Sequence, residues 1–232
     1  MTRPASYCGV AGFVVPAGGS LDTTGFVGLA PGLDAVGLLT PTVADLRLAH
    51  GALTGADRLP GPPQRPTRPR LAVWSGDELA EISKDMRAAL VRSVEDAVAN
   101  GAVLVDVDWP ALTPRLVEAH VTVMAYEAAR TLAEESTHPD RLSAPLNELL
   151  AHGRSLTTGD YEHARSLARR ERSAMPALLC DVDAVLGPAV TVPGHPDAQG
   201  MPLGLQLVGH PHRLEDLFSL GHAVERAARA NG

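Results

Sequence analysis

Apolar positions in the first forty residues come in short clusters without a helical period. YCGVAGFVV, PAGGSLDTTG and FVGLAPGLDAVGLL run from 7 to 39, cut repeatedly by glycine and proline. That punctuation predicts short strands and ordered loops. The spacing then changes. Thr40-Pro41-Thr42 supplies a capping hydroxyl and an early proline, and Val43, Leu46, Ala49 and Leu53 recur at helical intervals up to Gly55.

GADRLPGPPQRPTRPR, over 55–70, breaks the pattern with five prolines in sixteen residues and reads as a linker. Leu71-Ala72-Val73-Trp74 follows as a short strand. Leu79, Ile82, Met86, Leu90, Val94 and Val98 then step by threes and fours, which predicts a helix over 77–100. Asn100-Gly101 supplies its stop, and Val103 to Val107 the next strand. Strand, helix and strand in that order predict a βαβ unit, hence parallel strands covered by helices.

The stretch 113–180 is mostly helical, with breaks near 136–144 and 153–158. Ala184-Val185-Leu186 reads as a buried strand ending at Gly187-Pro188, and Leu203 to Gly209 as another. A last helix over 214–230 carries Leu217, Leu220, Val224 and Ala227 on one face. No internal repeat, heptad or low-complexity tract interrupts the series. The expectation is one α/β domain over 1–232 with the proline-rich linker inside it.

Composition narrows the function classes. With 232 residues and 45% hydrophobic content, the chain can bury a sizeable core, and with aromatics at 3% aliphatic side chains must fill it. A formal net charge of −7 argues against a nucleic-acid partner, and the basic stretch at 65–70 is interleaved with prolines. No apolar run reaches the length of a membrane span, and MTRPASYCG lacks the layout of a secretory signal, so a cytoplasmic protein is expected. Cys8 and Cys180 permit at most one disulfide and form no metal-spacing motif.

Candidate chemistry is sparse. No dinucleotide fingerprint, phosphate loop or GxSxG elbow occurs. His210 and His212 in GHPHR have a proline between them and no third ligand nearby, and His195 in PGHPD reads as a turn, so neither metal nor cofactor is expected. Lys84 is the single lysine beside nineteen arginines. In ISKDM it stands two residues after Ile82 and two before Met86, off the apolar face and toward solvent.

Three segments carry a resemblance. RPASYCGVAGF over 3–13 resembles the end of the signature block of the amidase signature family. LAPGLDAVGLL over 29–39, followed by Thr42-Val43-Ala44-Asp45, is similar to that family's L-A-P-S-L-D-T-V-G-P segment and the helix after it. MPLGLQLVG over 201–209 resembles its G-L-P-x-G-x-Q-x-V-G strand. They stand in the family's order, so the resemblance spans essentially the whole chain. It implies an incomplete amidase-signature core, a mixed β-sheet flanked by α-helices, and hydrolysis of carboxylic amides to acid plus ammonia or amine.

The family uses a serine nucleophile, a second serine in a cis peptide and a lysine base. A serine hydroxyl needs such a base at neutral pH, and the oxyanion needs aimed N–H donors. Counted back from Arg3 the nucleophile falls on Met1, and the rest of the set lies further upstream, so no residue of this chain is assigned a catalytic role. DAVLGPAVTVPG over 183–194 fuses two segments that the family separates by a long connection, with the seam between Pro188 and Ala189.

Two residues remain as candidates for the pocket or for bracing the nucleophile loop. These are Asp34, whose alternative is a structural turn aspartate, and Arg3, whose alternative is an exposed terminal arginine. The resemblance implies an isolated chain without activity, exposed strand edges and association with itself or with a partner chain that completes the sheet. A non-catalytic remnant or assembly partner and a subunit of an amidotransferase-like complex stay open beside the amidase. A small-molecule amide is the substrate class; no nucleic acid and no membrane are expected as partners.

Overall fold

The computed structural model describes residues 2–15, 21, 24–55, 68–77, 82–108, 113–196, 202–210 and 212–230. Its helices are α1 (Thr2–Tyr7), α2 (Val43–Leu53), α3 (Lys84–Ala99), α4 (Thr113–Thr131), α5 (Ala144–Ser155), α6 (Thr158–Leu178) and α7 (Leu214–Ala230). Its strands are β1 (Ala11–Val14), β2 (Gly37–Thr40), β3 (Arg70–Val73), β4 (Val103–Leu104), β5 (Ala184–Pro196) and β6 (Pro202–Gly209). Contacts group the chain into two compact units. One comprises Met1–Leu21, Ala35–Asp108 and Leu178–Gly232, the other Asp22–Asp34 and Trp109–Ala177.

Among the described residues, the strands all lie in the first unit. β1 and β2 pair antiparallel, Ala11 opposite Thr40 and Val14 opposite Gly37. The larger sheet runs β4-β3-β5-β6, with β3 parallel to both neighbours and β6 antiparallel to β5. This is the expected mixed sheet with helices packed on it, and β3–α3–β4 is the expected βαβ unit. The core gathers Phe13, Val43, Leu71, Leu90, Leu186, Leu205 and Phe218 from strands and helices alike. The apolar face of α7 enters it through Leu220 and Val224, as the spacing predicts.

Helix ends follow local chemistry. Thr42 sits extended before α2, and its Oγ1 accepts the Asp45 N–H at 3.1 Å while donating to Asp45 Oδ2 at 2.7 Å. Residues 78–81 lie outside the described residues, but the predicted start of the next helix at 77 is corrected. α3 begins at Lys84, because Ser83 is extended and its Oγ takes the Met86 N–H at 3.1 Å. Its stop is the predicted one. Gly101 has φ +95°, and the N–H groups of Gly101 and Ala102 bond to the carbonyls of Val98 and Ala97. The linker at 56–67 lies outside the described residues.

The opening residues form a helix that the pattern did not predict. α1 ends in the same glycine-led stop as α3: Gly9 has φ +62°, its N–H bonds Ser6, and the Val10 N–H bonds Ala5 at 3.0 Å. The ASYCGV stretch is thus a helical turn and its terminator leading straight into β1.

β5 also departs from expectation. It continues past Gly187-Pro188 to Pro196, so His195 belongs to a strand backbone and not to a turn. The ladder is irregular between Pro188 and Val192. Pro188 and Val192 both stand opposite Leu205, which leaves 189–191 without partners on β6. Proline has no N–H to donate, so the ladder cannot pass through Pro188 on even terms.

The second unit is helical. α4 and α5 pack through Ala128, Ala129 and Leu150, with Leu29 and Leu146 against them. α4 meets α6 through Ala119, Val123, Ala164 and Leu167. Among the described residues no helix is long and apolar enough to cross a membrane.

Candidate functional site

The turn from Gly28 to Asp34 is tightly built. Both Leu33 and Asp34 donate their N–H groups to the Ala30 carbonyl at 2.8 Å. The Asp34 carboxylate closes the turn from the other side, its Oδ2 accepting the Ala30 N–H at 3.0 Å. A side chain at Gly28 would overlap that same oxygen, so Gly28 is where the chain needs the smallest residue. Asp34 is half-buried and acts on its own loop. Arg3 lies in α1, in the other compact unit, and its side chain is outside the described residues.

A second carboxylate meets this turn, one that sequence reasoning did not single out. Glu127 of α4 is 9% exposed, and its Oε2 accepts the Gly32 N–H at 2.6 Å. Its other oxygen accepts the Tyr161 hydroxyl of α6 at 2.7 Å, and Arg165 donates to that hydroxyl at 2.9 Å. Tyr126 stacks on Tyr161 with centroids 4.2 Å apart, and the Arg130 guanidinium lies over the Tyr126 ring at 3.2 Å. The Tyr126 hydroxyl is within 3.1 Å of Thr158 Oγ1. Every polar tip in this cluster has a partner.

Charge is distributed accordingly. Burial pushes the Tyr161 phenol above its ordinary value, and its donated bond to Glu127 adds to the shift, while Arg165 opposes it. The phenol therefore stays a donor at neutral pH, which is what a carboxylate partner requires. A signal for Glu127 does exist in the sequence: it stands four residues after Val123 and eight after Ala119, on the buried face of α4. What the spacing cannot supply is its partners, 34 and 95 residues away.

The remaining candidates are scattered. Lys84 is exposed at the first turn of α3, facing solvent as its spacing predicts. His210 and His212 have ring centroids 5.3 Å apart, and the His212 N–H bonds His210 Nδ1 at 3.2 Å. Among the described residues no three His, Cys, Asp or Glu side chains gather as metal ligands. Cys8 and Cys180 are exposed free thiols.

The mixed sheet with helices packed on it defines an α/β core. The sequence pattern of the amidase family matches residues 2–196, and the chain belongs to that family. A solved amidase superposes with a TM-score of 0.84 at 25% identity, over 98% of this chain and 60% of its own. The fold is also that of a 6-aminohexanoate cyclic dimer hydrolase, at 16% identity and a TM-score of 0.78, over 97% of this chain and 62% of that one. One of the subunits of the glutamyl-tRNA(Gln) amidotransferase of Bradyrhizobium diazoefficiens is 58% identical over 41 residues, 18% of this chain and 8% of its own length. The chain thus spans about three fifths of the solved relatives it matches.

Proposed function

We propose that these 232 residues form the scaffold portion of an amide-hydrolysing centre, acting on carboxylic amides to release acid and ammonia or amine. The observation that carries this reading is the amidase backbone, followed over 98% of the chain at a TM-score of 0.84. In the proposed reaction a serine hydroxyl attacks the amide carbonyl, a lysine takes its proton, and backbone N–H groups hold the oxyanion. The lysine then returns the proton to the nitrogen, the C–N bond breaks, and ammonia or amine leaves an acyl-serine ester. Water cleaves that ester to release the acid and restore the serine. Lys84 is the only lysine here and is exposed, so the proposal has the serine and its base supplied by polypeptide other than these residues. Arg3 and Asp34 keep the roles of bracing residues around that segment. A single cytoplasmic amidase-like domain, completed by a partner chain or a second copy, is part of the same reading.

The test is ammonia release or hydroxamate formation from simple amides by the purified chain. It is run alone and then with a separately produced segment carrying an amidase serine and lysine. Silence alone and turnover together, lost when the added serine is replaced, are expected. Turnover by the 232 residues alone that vanishes in Lys84→Met would overturn the proposal, because catalysis would then reside in this chain.

A second reading has one observation in its favour. The stretch shared with the amidotransferase is more than twice as identical as the solved amidase is overall. On that reading these residues belong to an amidotransferase-like complex. Stable co-purification with other amidotransferase components, without amide hydrolysis in the reconstitution, would favour it.

A further inference from the structure

We infer that Glu127 is a positioning residue that latches the Gly28–Asp34 turn onto α4 and α6. The turn's own bonds, through Ala30 and Asp34, shape it but do not place it on the helices. Placement comes from Leu29, which packs against α4 and α5, and from the Gly32 N–H, which meets Glu127 Oε2 at 2.6 Å. The other oxygen is fixed by Tyr161 at 2.7 Å, and Tyr161 is held by Arg165 and by stacking on Tyr126. The carboxylate, itself buried, therefore cannot swing away without giving up its bond to the half-buried Tyr161 hydroxyl, which costs more than losing a surface bond does. Space is matched as closely as polarity. A methyl at Gly32 would stand 2.6 Å from Glu127 Oε1.

The latch governs what lies on the same loop. Phe26 is 58% exposed and Val27 85%, two large apolar side chains standing just before the latched turn. With Gly32 held, the direction in which they project is set by α4 and not by the loop alone. This inference is independent of amide hydrolysis, and either can fail without the other.

Amide exchange of the full chain, followed residue by residue by NMR, tests it. Glu127→Met fills the same space without an acceptor, whereas Glu127→Gln keeps one oxygen for Gly32 and offers an amide N–H to Tyr161. The Gly32 amide is expected to exchange about tenfold faster or more in the Met variant and to stay within about threefold of wild type in the Gln variant. Amides in the middle of α5 and α6 serve as the reference for opening of the helical unit as a whole. Gly32→Ala, which displaces the carboxylate from the loop side with both helices untouched, is expected to match Glu127→Met and stands in for it if that variant does not fold. Equal exchange in the Gln and Met variants, unchanged exchange in Gly32→Ala, or an acceleration shared by the reference helices overturns the assignment.

Discussion

Glu225 of α7 accepts the backbone N–H of Val43 at 3.1 Å, across 182 residues of sequence, and is 2% exposed. Val43 opens α2, so this carboxylate satisfies a helix-terminal donor and places negative charge at the positive end of the helix dipole. Arg229, one turn on, holds its other oxygen at 2.8 Å. Glu225→Ala would leave a buried donor unpaired. We expect a loss of about 2 kcal/mol in urea unfolding with an unchanged denaturant slope, and a smaller loss for Glu225→Gln. Equal stability of the Ala variant would mean that water serves Val43 as well as the carboxylate does.

His50 of α2 makes stability depend on pH in one direction. Its ring stands edge-on to Phe13 at 5.4 Å and near Phe218 at 5.9 Å. Burial lowers its pKa below 6.5, while Glu215 pulls the other way. The unfolded chain therefore binds the proton more readily than the folded one. The contribution is complete above 6.5 and is lost as pH falls through that value toward the folded pKa. Melting temperatures measured from neutral to mildly acidic pH should fall more steeply for the wild type than for His50→Leu. Parallel curves would remove His50 from the acid response.

Tyr161 is expected to resist alkaline ionisation. Burial and its bond to Glu127 raise its pKa above 10.0, so its phenol keeps its proton where an ordinary tyrosine loses it. The sign for folding follows: this stabilisation is full below 10.0 and is lost as pH rises through the folded value. In a titration followed by phenolate absorbance, one component should lag behind and be missing in Tyr161→Phe. A titration that keeps its late component in that variant would place the shifted phenol elsewhere.

Legibility in the sequence tracks the range of the interaction responsible. α7 is readable in its extent and in Leu220 and Val224 because its apolar spacing is local, although Phe218 and Ala228 are buried beside the predicted face. The stop of α3 is readable because Asn100-Gly101 needs no distant partner. The start of α3 is not, since Leu79 and Ile82 continue the helical spacing while the Ser83 hydroxyl ends it. β5 outruns its expected end because Gly187-Pro188 looks like a terminator, yet pairing with β6 resumes at Val192. At the candidate site the Asp34 bond to Ala30, four residues back, lies within reach of turn chemistry. The Glu127 bonds do not, because a carboxylate in an alanine-rich helix carries no mark of what it will meet.

Gly153 of α5 sits directly against α4. A methyl placed there would overlap the Ala125 carbonyl and come within 2.8 Å of Ala129 Cβ. Two opposing effects decide the outcome of Gly153→Ala. Helix propensity favours alanine by about 1 kcal/mol, and overpacking against a backbone atom costs about 1–3 kcal/mol. The obstacle is a carbonyl in the middle of α4, which cannot rotate aside as a side chain tip could, so overpacking wins. The variant should unfold at lower urea, and its loss should shrink when Ala129→Gly is added, since that change opens room beside the new methyl. A stabilised Gly153→Ala chain would show that α4 and α5 slide apart at little cost.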